Sequence, residues 1–486
     1  MAHKSLGGTR GTFIDVEAIE NTLAGARAEP DRVHAILAKA LELRGLTSDE
    51  VAVLLNIEDP ELERELLATA GRVKESIYGR RLVLFAPLYI GNKCSNDCLY
   101  CAFRAPNRSL KRRSLSLDEI EIETRALLRE GHKRLLLLSG ESEEETVDRL
   151  VAAIERIYSV RELSPRSGKP SSIRRINVEV APLEVGEFRR LKSASIGTYA
   201  CFQETYDPRL YSEFHKKGPK ADYENRLYVM DRAMEGGIDD VGIGALFGLG
   251  DFRFEVLAML AHAAHLEKEF GCGPHTVSMP RIEPAEGTPL AARPPRRLSD
   301  DEFRRVVASL RLALPYTGLI LSTRESESLR NELFRYGISQ ISAGSRTNPG
   351  AYSDEGAKED SGGRDFEGLA AGSQFQLGDH RSLAEVVETV GAYGYVPSFC
   401  TGCYRKGRVG ADFMDLAKPG LIRRFCEPNA LFTFAEYLED FADAATRARG
   451  RARTEALLEG LPDEETRRKA REGLAEVAGG ARDVYL

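Results

Sequence analysis

The rhythm of apolar and polar positions changes near residue 82. Before it, residues 14 to 80 read as helices. Thr47 and Glu50 form a capping box ahead of Val51, Val53, Leu54 and Leu55. After it, short β-prone apolar runs recur between helical stretches. They are Val83–Ile90, Leu135–Leu138, Ile176–Val180, Thr198–Phe202, Val241–Ile243, Thr276–Met279, Leu319–Leu321 and Gln340–Ser342. Ser116 and Glu119 open the helix between the first two runs with a second capping box. Eight alternating units predict an α/β fold, a parallel (βα)8 TIM-type barrel, with its chemistry at the C-terminal ends of the strands. Residues 353–373, rich in Gly, Ser, Asp and Glu, predict a mobile loop. The Ala-, Arg- and Glu-dense tail, 445–486, predicts exposed terminal helix. The expected division is an N-terminal helical segment over 1–80, the barrel over 81–380, and a mainly helical C-terminal iron–sulfur domain over 381–486.

The 486 residues can bury a large core. A net charge of −7 provides no global field for nucleic acid. The longest apolar runs, such as Leu135–Leu138 and Leu82–Ile90 with its internal Pro87, are too short for a bilayer. No apolar leader opens the chain, so a cytoplasmic protein without membrane or nucleic-acid partners is expected. The basic stretch Arg104, Arg108, Lys111, Arg112 and Arg113 reads as a solvated face.

Eight cysteines refine this picture, because six fall in two groups. Metal binding in a reducing compartment suits that pattern better than disulfides. Cys94, Cys98 and Cys101 have C-x3-C-x2-C spacing. Three thiolates can hold three irons of a 4Fe-4S cube. The fourth iron then stays open, as reductive cleavage of S-adenosylmethionine (SAM) requires. Tyr100 beside Cys101 fits the same pattern, that of radical SAM enzymes. A zinc site competes, but would want a fourth Cys or His nearby. Cys400, Cys403 and Cys426 give C-x2-C-x22-C, again without a local fourth ligand. This group reads as a second 4Fe-4S site, against a zinc-ribbon fragment or buried thiols.

Longer motifs narrow the reading. G-H-K-R-L, F-Q-E-T-Y, D-D-V-G-I-G-A-L-F-G-L, G-P-H-T, P-Y-T-G-L-I-L-S-T-R-E, S-Q-I-S-A-G-S and C-T-G-C-Y-R resemble the radical SAM tyrosine lyases that mature iron-only (di-iron) hydrogenase. The resemblance runs from residue 13 to about 450. The related thiazole-pathway lyase shares the barrel but lacks the second triplet. Gly402, Val409, Lys216 and Cys272 depart from the usual family residues without removing a ligand.

The resemblance implies roles for single residues. Glu141 would meet the SAM ammonium, against the alternative of an acidic helix cap. Glu204 and Arg226 are further SAM candidates, or an ordinary ion pair. Ser322 and Arg324 would anchor the tyrosine carboxylate, unless Arg324 forms a rim salt bridge with Glu325 or Glu327. His275 would ligate an extra iron on the C-terminal cluster, against a structural role, and free L-cysteine would be another ligand of that iron. Cys201 and Cys272 read as buried thiols. The implied reaction cleaves the Cα–Cβ bond of L-tyrosine to p-cresol and dehydroglycine, then makes carbon monoxide and cyanide from dehydroglycine. A reductant such as flavodoxin or ferredoxin and hydrogenase maturation proteins would be partners. The alternatives are a tyrosine or tryptophan lyase that stops at dehydroglycine, and a non-catalytic iron–sulfur carrier.

Overall fold

The computed structural model describes residues 12–353 and 372–486; most of the expected loop at 353–373 lies outside them. Four helices, Val16–Gly25, Pro30–Ala40, Ser48–Leu55 and Pro60–Tyr78, open the chain. The Thr47–Glu50 and Ser116–Glu119 capping boxes both form. The Pro60–Tyr78 helix is amphipathic and buries Leu62, Leu66, Ala70, Val73 and Ile77. It packs on the helix Asp300–Ala313 outside the barrel.

The barrel strands are β1 (Arg81–Gly91), β2 (Arg134–Ser139), β3 (Arg175–Glu179), β4 (Tyr199–Ala200), β5 (Val241–Gly244), β6 (Thr276–Ser278), β7 (Gly318–Leu321) and β8 (Gln340–Ser342). All neighbours pair in parallel, and β8 returns to β1 with Val83 opposite Gln340, closing the barrel as expected. A ninth strand, β9 (Val396–Ser398), pairs in parallel with Arg81–Val83. Its V-P-S sequence hides it, yet proline is tolerated on such an edge. Thus β1 carries both β2 and β9, and its first residues extend below the barrel.

Alternation along β1 sends Leu82, Leu84, Ala86, Leu88 and Ile90 outward into the continuous core under the helices. The lumen is lined differently. A Cβ on Gly242 would meet Thr276, Ala200 and Thr198, and one on Gly318 would meet Gln340. These small or polar residues replace the branched apolar layers that usually fill such barrels. Leu136, Asn177 and Ile320, at lumen-facing positions, remain partly exposed, so the lumen holds open space.

The C-terminal segment folds as helices Gly410–Ala417, Arg423–Asp440, Ala444–Glu459 and Glu464–Ala478. The last two are packed, unlike the exposed tail expected. Gly450 sits against Leu438 and Gly473 against Phe432, because neither has a side chain to hold the helices apart. Ala470 and Val477 are buried. Leu486 N donates to Asn429 Oδ1 at 2.7 Å, so the final residues fold back over the 423–440 helix. Among the described residues, no helix is long and apolar enough to cross a membrane.

Candidate functional site: two cysteine triplets at opposite mouths of the barrel

The loop after β1 carries the first triplet, and its irregular backbone needs donors. Arg112 donates to the carbonyls of Asn92 (2.8 Å), Phe103 (2.8 Å), Arg104 (2.6 Å) and Asn107 (3.1 Å). Arg104 pairs with Asp97 at 2.6 Å. These two residues therefore brace the loop and do not form the solvated face expected of the stretch, whereas Arg108 and Lys111 are exposed. The loop after β2 packs closely on it, since a Cβ at Gly140 would run into the Lys93 carbonyl.

Cys94, Cys98, Cys101 and Tyr100 face a cavity of about 140 Å³ at the C-terminal ends of the strands. Asn96 Nδ2 lies 3.7 Å from Cys94 Sγ, and Gln374 Nε2 lies 3.7 Å from Cys101 Sγ. Such N–H donors suit thiolates. Burial pushes the Cys98 thiol up to about 12 and raises Cys101. Buried thiolates therefore need a cation, and iron would supply it. Among the described residues, no three His, Cys, Asp or Glu side chains close on a single ion.

Glu141 Oε2 accepts from Asn96 Nδ2 at 2.7 Å, and its carbonyl accepts from Ser95 N at 2.7 Å. It is not a helix cap, because Thr146 caps the helix Val147–Ser159. Glu204 has φ of 70°, a costly conformation for a non-glycine residue. Its Oε1 accepts from Lys220 Nζ at 2.6 Å and lies 4.0 Å from Arg226 Nη2. Burial would raise the Glu204 carboxyl, but Lys220 and then Arg226 outweigh it and hold it low. Arg226 Nε donates to Phe202 O at 2.6 Å. So Glu204 and Arg226 are an ion pair and also line the cavity.

Arg324 lines the same cavity, its guanidinium 3.3 Å from the Phe375 ring centre. The expected rim partners are engaged elsewhere: Glu325 pairs with Arg281, and Glu327 lies 3.5 Å from Arg381. Arg324 Nη1 reaches only a carbonyl, Arg281 O, at 3.4 Å. Burial lowers its pKa, which marks a guanidinium without a full counter-charge. Ser322 sits beside it, its Oγ accepting Arg324 N at 3.3 Å. Glu179 and Glu283 also face this cavity, both raised to about 7, chiefly by burial. Tyr100 Oη bonds His215 Nε2 at 2.7 Å. Burial lowers His215 to about 3, so the ring is neutral.

The second triplet gathers at the N-terminal ends of the strands. Cys400 and Cys403 follow β9, and Cys426 lies on the 423–440 helix. With Arg81, Arg134 and His275, at or beside the starts of β1, β2 and β6, they line a cavity of about 60 Å³. Gly402 N donates to Cys400 Sγ at 3.2 Å. Arg134 Nη1 donates to Cys400 O at 2.5 Å. The Cys426 thiol is lowered by a hydrogen bond from Cys403 and, against burial, by Arg81. His275 packs 4.6 Å from Phe413, with Nδ1 3.4 Å from Asp240 Oδ1 but not hydrogen-bonded. Burial lowers its pKa, and a neutral imidazole with a free nitrogen is what iron binds. Three thiolates and this ring fit a second cluster with an extra iron. Cys201 and Cys272 are buried, as expected.

Sequence reasoning missed Lys220, Glu179, Glu283, Arg81, Arg134 and Asp240. Lys220 and Asp240 sat in recognisable motifs, G-P-K and D-D-V-G-I-G, without an assigned role. Arg134 likewise sat in G-H-K-R-L without a role, while Arg81, the first residue of β1, carries no local signal.

A thiol triplet on the first βα loop of a closed parallel barrel, beside a cavity of mixed charge, defines a radical SAM protein. Residues 88–263 match the Radical SAM superfamily, and 278–396 match the Biotin and Thiamin Synthesis associated domain. Both matches end before Cys400. The 2-iminoacetate synthase of Salmonella typhimurium is 32% identical over 318 residues, covering 65% of this chain and 80% of the relative. A crystal structure of HydG, a maturase of FeFe-hydrogenase, superposes with a TM-score of 0.90 at 43% identity, covering 98% of this chain and all of that one. HydG from Carboxydothermus hydrogenoformans gives 0.79 at 41% identity, over 94% of this chain and 98% of that one. The chain belongs to the HydG family of radical SAM proteins.

Proposed function

We propose that this protein is a radical SAM lyase that cleaves L-tyrosine between Cα and Cβ to give p-cresol and dehydroglycine. Dehydroglycine is then consumed at the second triplet, and its atoms leave as carbon monoxide, cyanide and water for assembly of a hydrogenase H-cluster. The observation that carries the reading is Arg324, a buried guanidinium without a carboxylate ion pair among the described residues, in the cavity that holds Cys94, Cys98 and Cys101.

When bound, the first cluster supplies the electron that cleaves SAM to methionine and a 5′-deoxyadenosyl radical. The chain's own residues position the reactants. Glu141 accepts from the SAM ammonium. Arg226 and Lys220 meet the SAM carboxylate, with Glu204 holding both cations in place. Arg324 forks onto the tyrosine carboxylate, and the Ser322 hydroxyl adds a donor. That pose turns the tyrosine amino group toward the radical, which takes its hydrogen. Phe375 and Tyr89 wall the cavity against water. The open lumen lined by Gly242, Thr276 and Asn177 offers a two-carbon product a route to the other mouth.

A flavodoxin- or ferredoxin-type reductant and hydrogenase maturation proteins are the partners this reading requires. The likeness to 2-iminoacetate synthase favours a second reading, in which dehydroglycine is the final product. Anaerobically reconstituted protein with SAM, dithionite and tyrosine separates the two. Carbon monoxide trapped on haem alongside p-cresol is the expected result. p-Cresol with glyoxylate and no carbon monoxide would install the second reading, and no p-cresol would sink both.

A further inference from the structure

We propose that Arg81 and Arg134 form a carboxylate clamp that holds a small α-imino or α-amino acid at the second cysteine triplet. The proposal rests on the second-stage chemistry above and names the side chains that receive its substrate.

Arg81 begins β1 and Arg134 begins β2; in the parallel register Leu135 faces Ala86, so the two arginines are not opposite each other, but both line the same cavity. Among the described residues, Arg81 Nε and Nη1 are buried without a hydrogen-bond acceptor, while the guanidinium also meets the Cys426 thiol. Arg134 is buried too, anchored at one nitrogen by Cys400 O. Two guanidiniums lining one small cavity are costly unless an anion joins them. Arg175, stacked 3.7 Å from the Tyr404 ring centre, adds a third cation, while Asp240 is a carboxylate at the same mouth.

The thiolates do not settle this balance. Irons of a bound cluster neutralise most thiolate charge. Arg408, over the Phe425 ring at 4.4 Å, already lies near Cys403 and Cys426 from the other side. A loaded second site therefore retains cationic forks facing the cavity beside His275. Their planar N–H pairs match a carboxylate in two-bond geometry. Dehydroglycine and free amino acids share that group.

The test uses the full-length Cys94→Ala/Cys98→Ala/Cys101→Ala protein, so that only the second cluster is observed. Its reduced cluster is titrated with glyoxylate, a stable carboxylate of the same size, and followed by electron paramagnetic resonance. A separate arm uses L-cysteine. Cyanide, an iron ligand without a carboxylate, is the control. Arg81→Gln should raise the glyoxylate half-saturation at least about tenfold and leave that of cyanide unchanged. A parallel rise for L-cysteine would show that the clamp also takes the amino acid. Should Arg81→Gln lose iron, Arg81→Lys and Arg134→Lys keep the charge without the fork, with the same expectation. A spectrum indifferent to glyoxylate, or equal half-saturation in parent and variants, overturns the clamp. Failure of the tyrosine reading would instead appear as absent p-cresol in the unmodified enzyme, leaving this titration intact.

Discussion

Replacing Arg324 with Gln tests the substrate anchor most directly. In the free protein the guanidinium is buried, and among the described residues no carboxylate pairs with it. A charge-assisted fork to a desolvated carboxylate contributes about 3 kcal/mol. Part of that gain offsets the cost of keeping an unpaired cation buried, which the substitution removes. A net loss of about 2 kcal/mol remains, or roughly 30-fold in tyrosine affinity. The same argument predicts that Arg324→Gln is no less stable than the parent, because the variant discards a burial cost. Tyrosine dependence of p-cresol formation gives the first quantity, and a thermal melt gives the second. SAM affinity should not move, since Glu141, Glu204, Lys220 and Arg226 are untouched. A tyrosine KM within threefold of the parent would refute the anchor. A large loss of thermal stability would show instead that Arg324 supports the fold.

Cys400→Ser/Cys403→Ser should lower the ratio of carbon monoxide to p-cresol by at least about tenfold and remove roughly half of the iron, read by gas trapping and iron analysis; His275→Ala should give a milder form of the same defect. Gly140→Ala pushes a methyl group into the Lys93 carbonyl. It should impair iron loading at the first triplet, measured in the Cys400→Ser/Cys403→Ser background, and leave loading of the second unchanged, measured in the Cys94→Ala/Cys98→Ala/Cys101→Ala background. Buried His132 is lowered from 6.5 to about 3. As pH falls through that window the unfolded chain gains a proton that the folded chain refuses, so stability is lost, by at most about 1.4 kcal/mol per pH unit. His132→Phe should flatten melting temperature against pH between 6.5 and 5, and an unchanged slope would rule out this histidine as a contributor.

Much of the barrel was legible because its strands are marked locally, by short β-prone runs between helical stretches. β9 was not, because Val396–Ser398 is a strand only by virtue of its pairing with Arg81–Val83. The packing of the last two helices was hidden for a similar reason, since it depends on Gly450 and Gly473 meeting Leu438 and Phe432. The triplets were visible because most of their thiols lie a few residues apart. Glu141, Ser322 and Arg324 were reached through motifs. Arg81 was invisible, because only the fold brings it to the second triplet, and Arg134 lay in G-H-K-R-L without an assigned role. Arg112 looked like surface charge, because spacing does not reveal which carbonyls a loop leaves unpaired.

The double duty of β1 has a consequence for how the chain is born. β1 leaves the ribosome early, but Gln340–Ser342 and Val396–Ser398, which pair with its first half, lie toward the other end of the chain. Pairings so distant in sequence form slowly and leave strand edges open meanwhile. The first cysteine loop is made early, but Asp97 N, Leu99 N and Ala102 N wait for the carbonyls of Lys217, Phe214 and Gln374. The second triplet is assembled only after Cys426 has been made and Leu486 has settled on Asn429. Birth order thus leaves both cysteine groups unfinished until late, the first waiting for Gln374 and the second for Cys426.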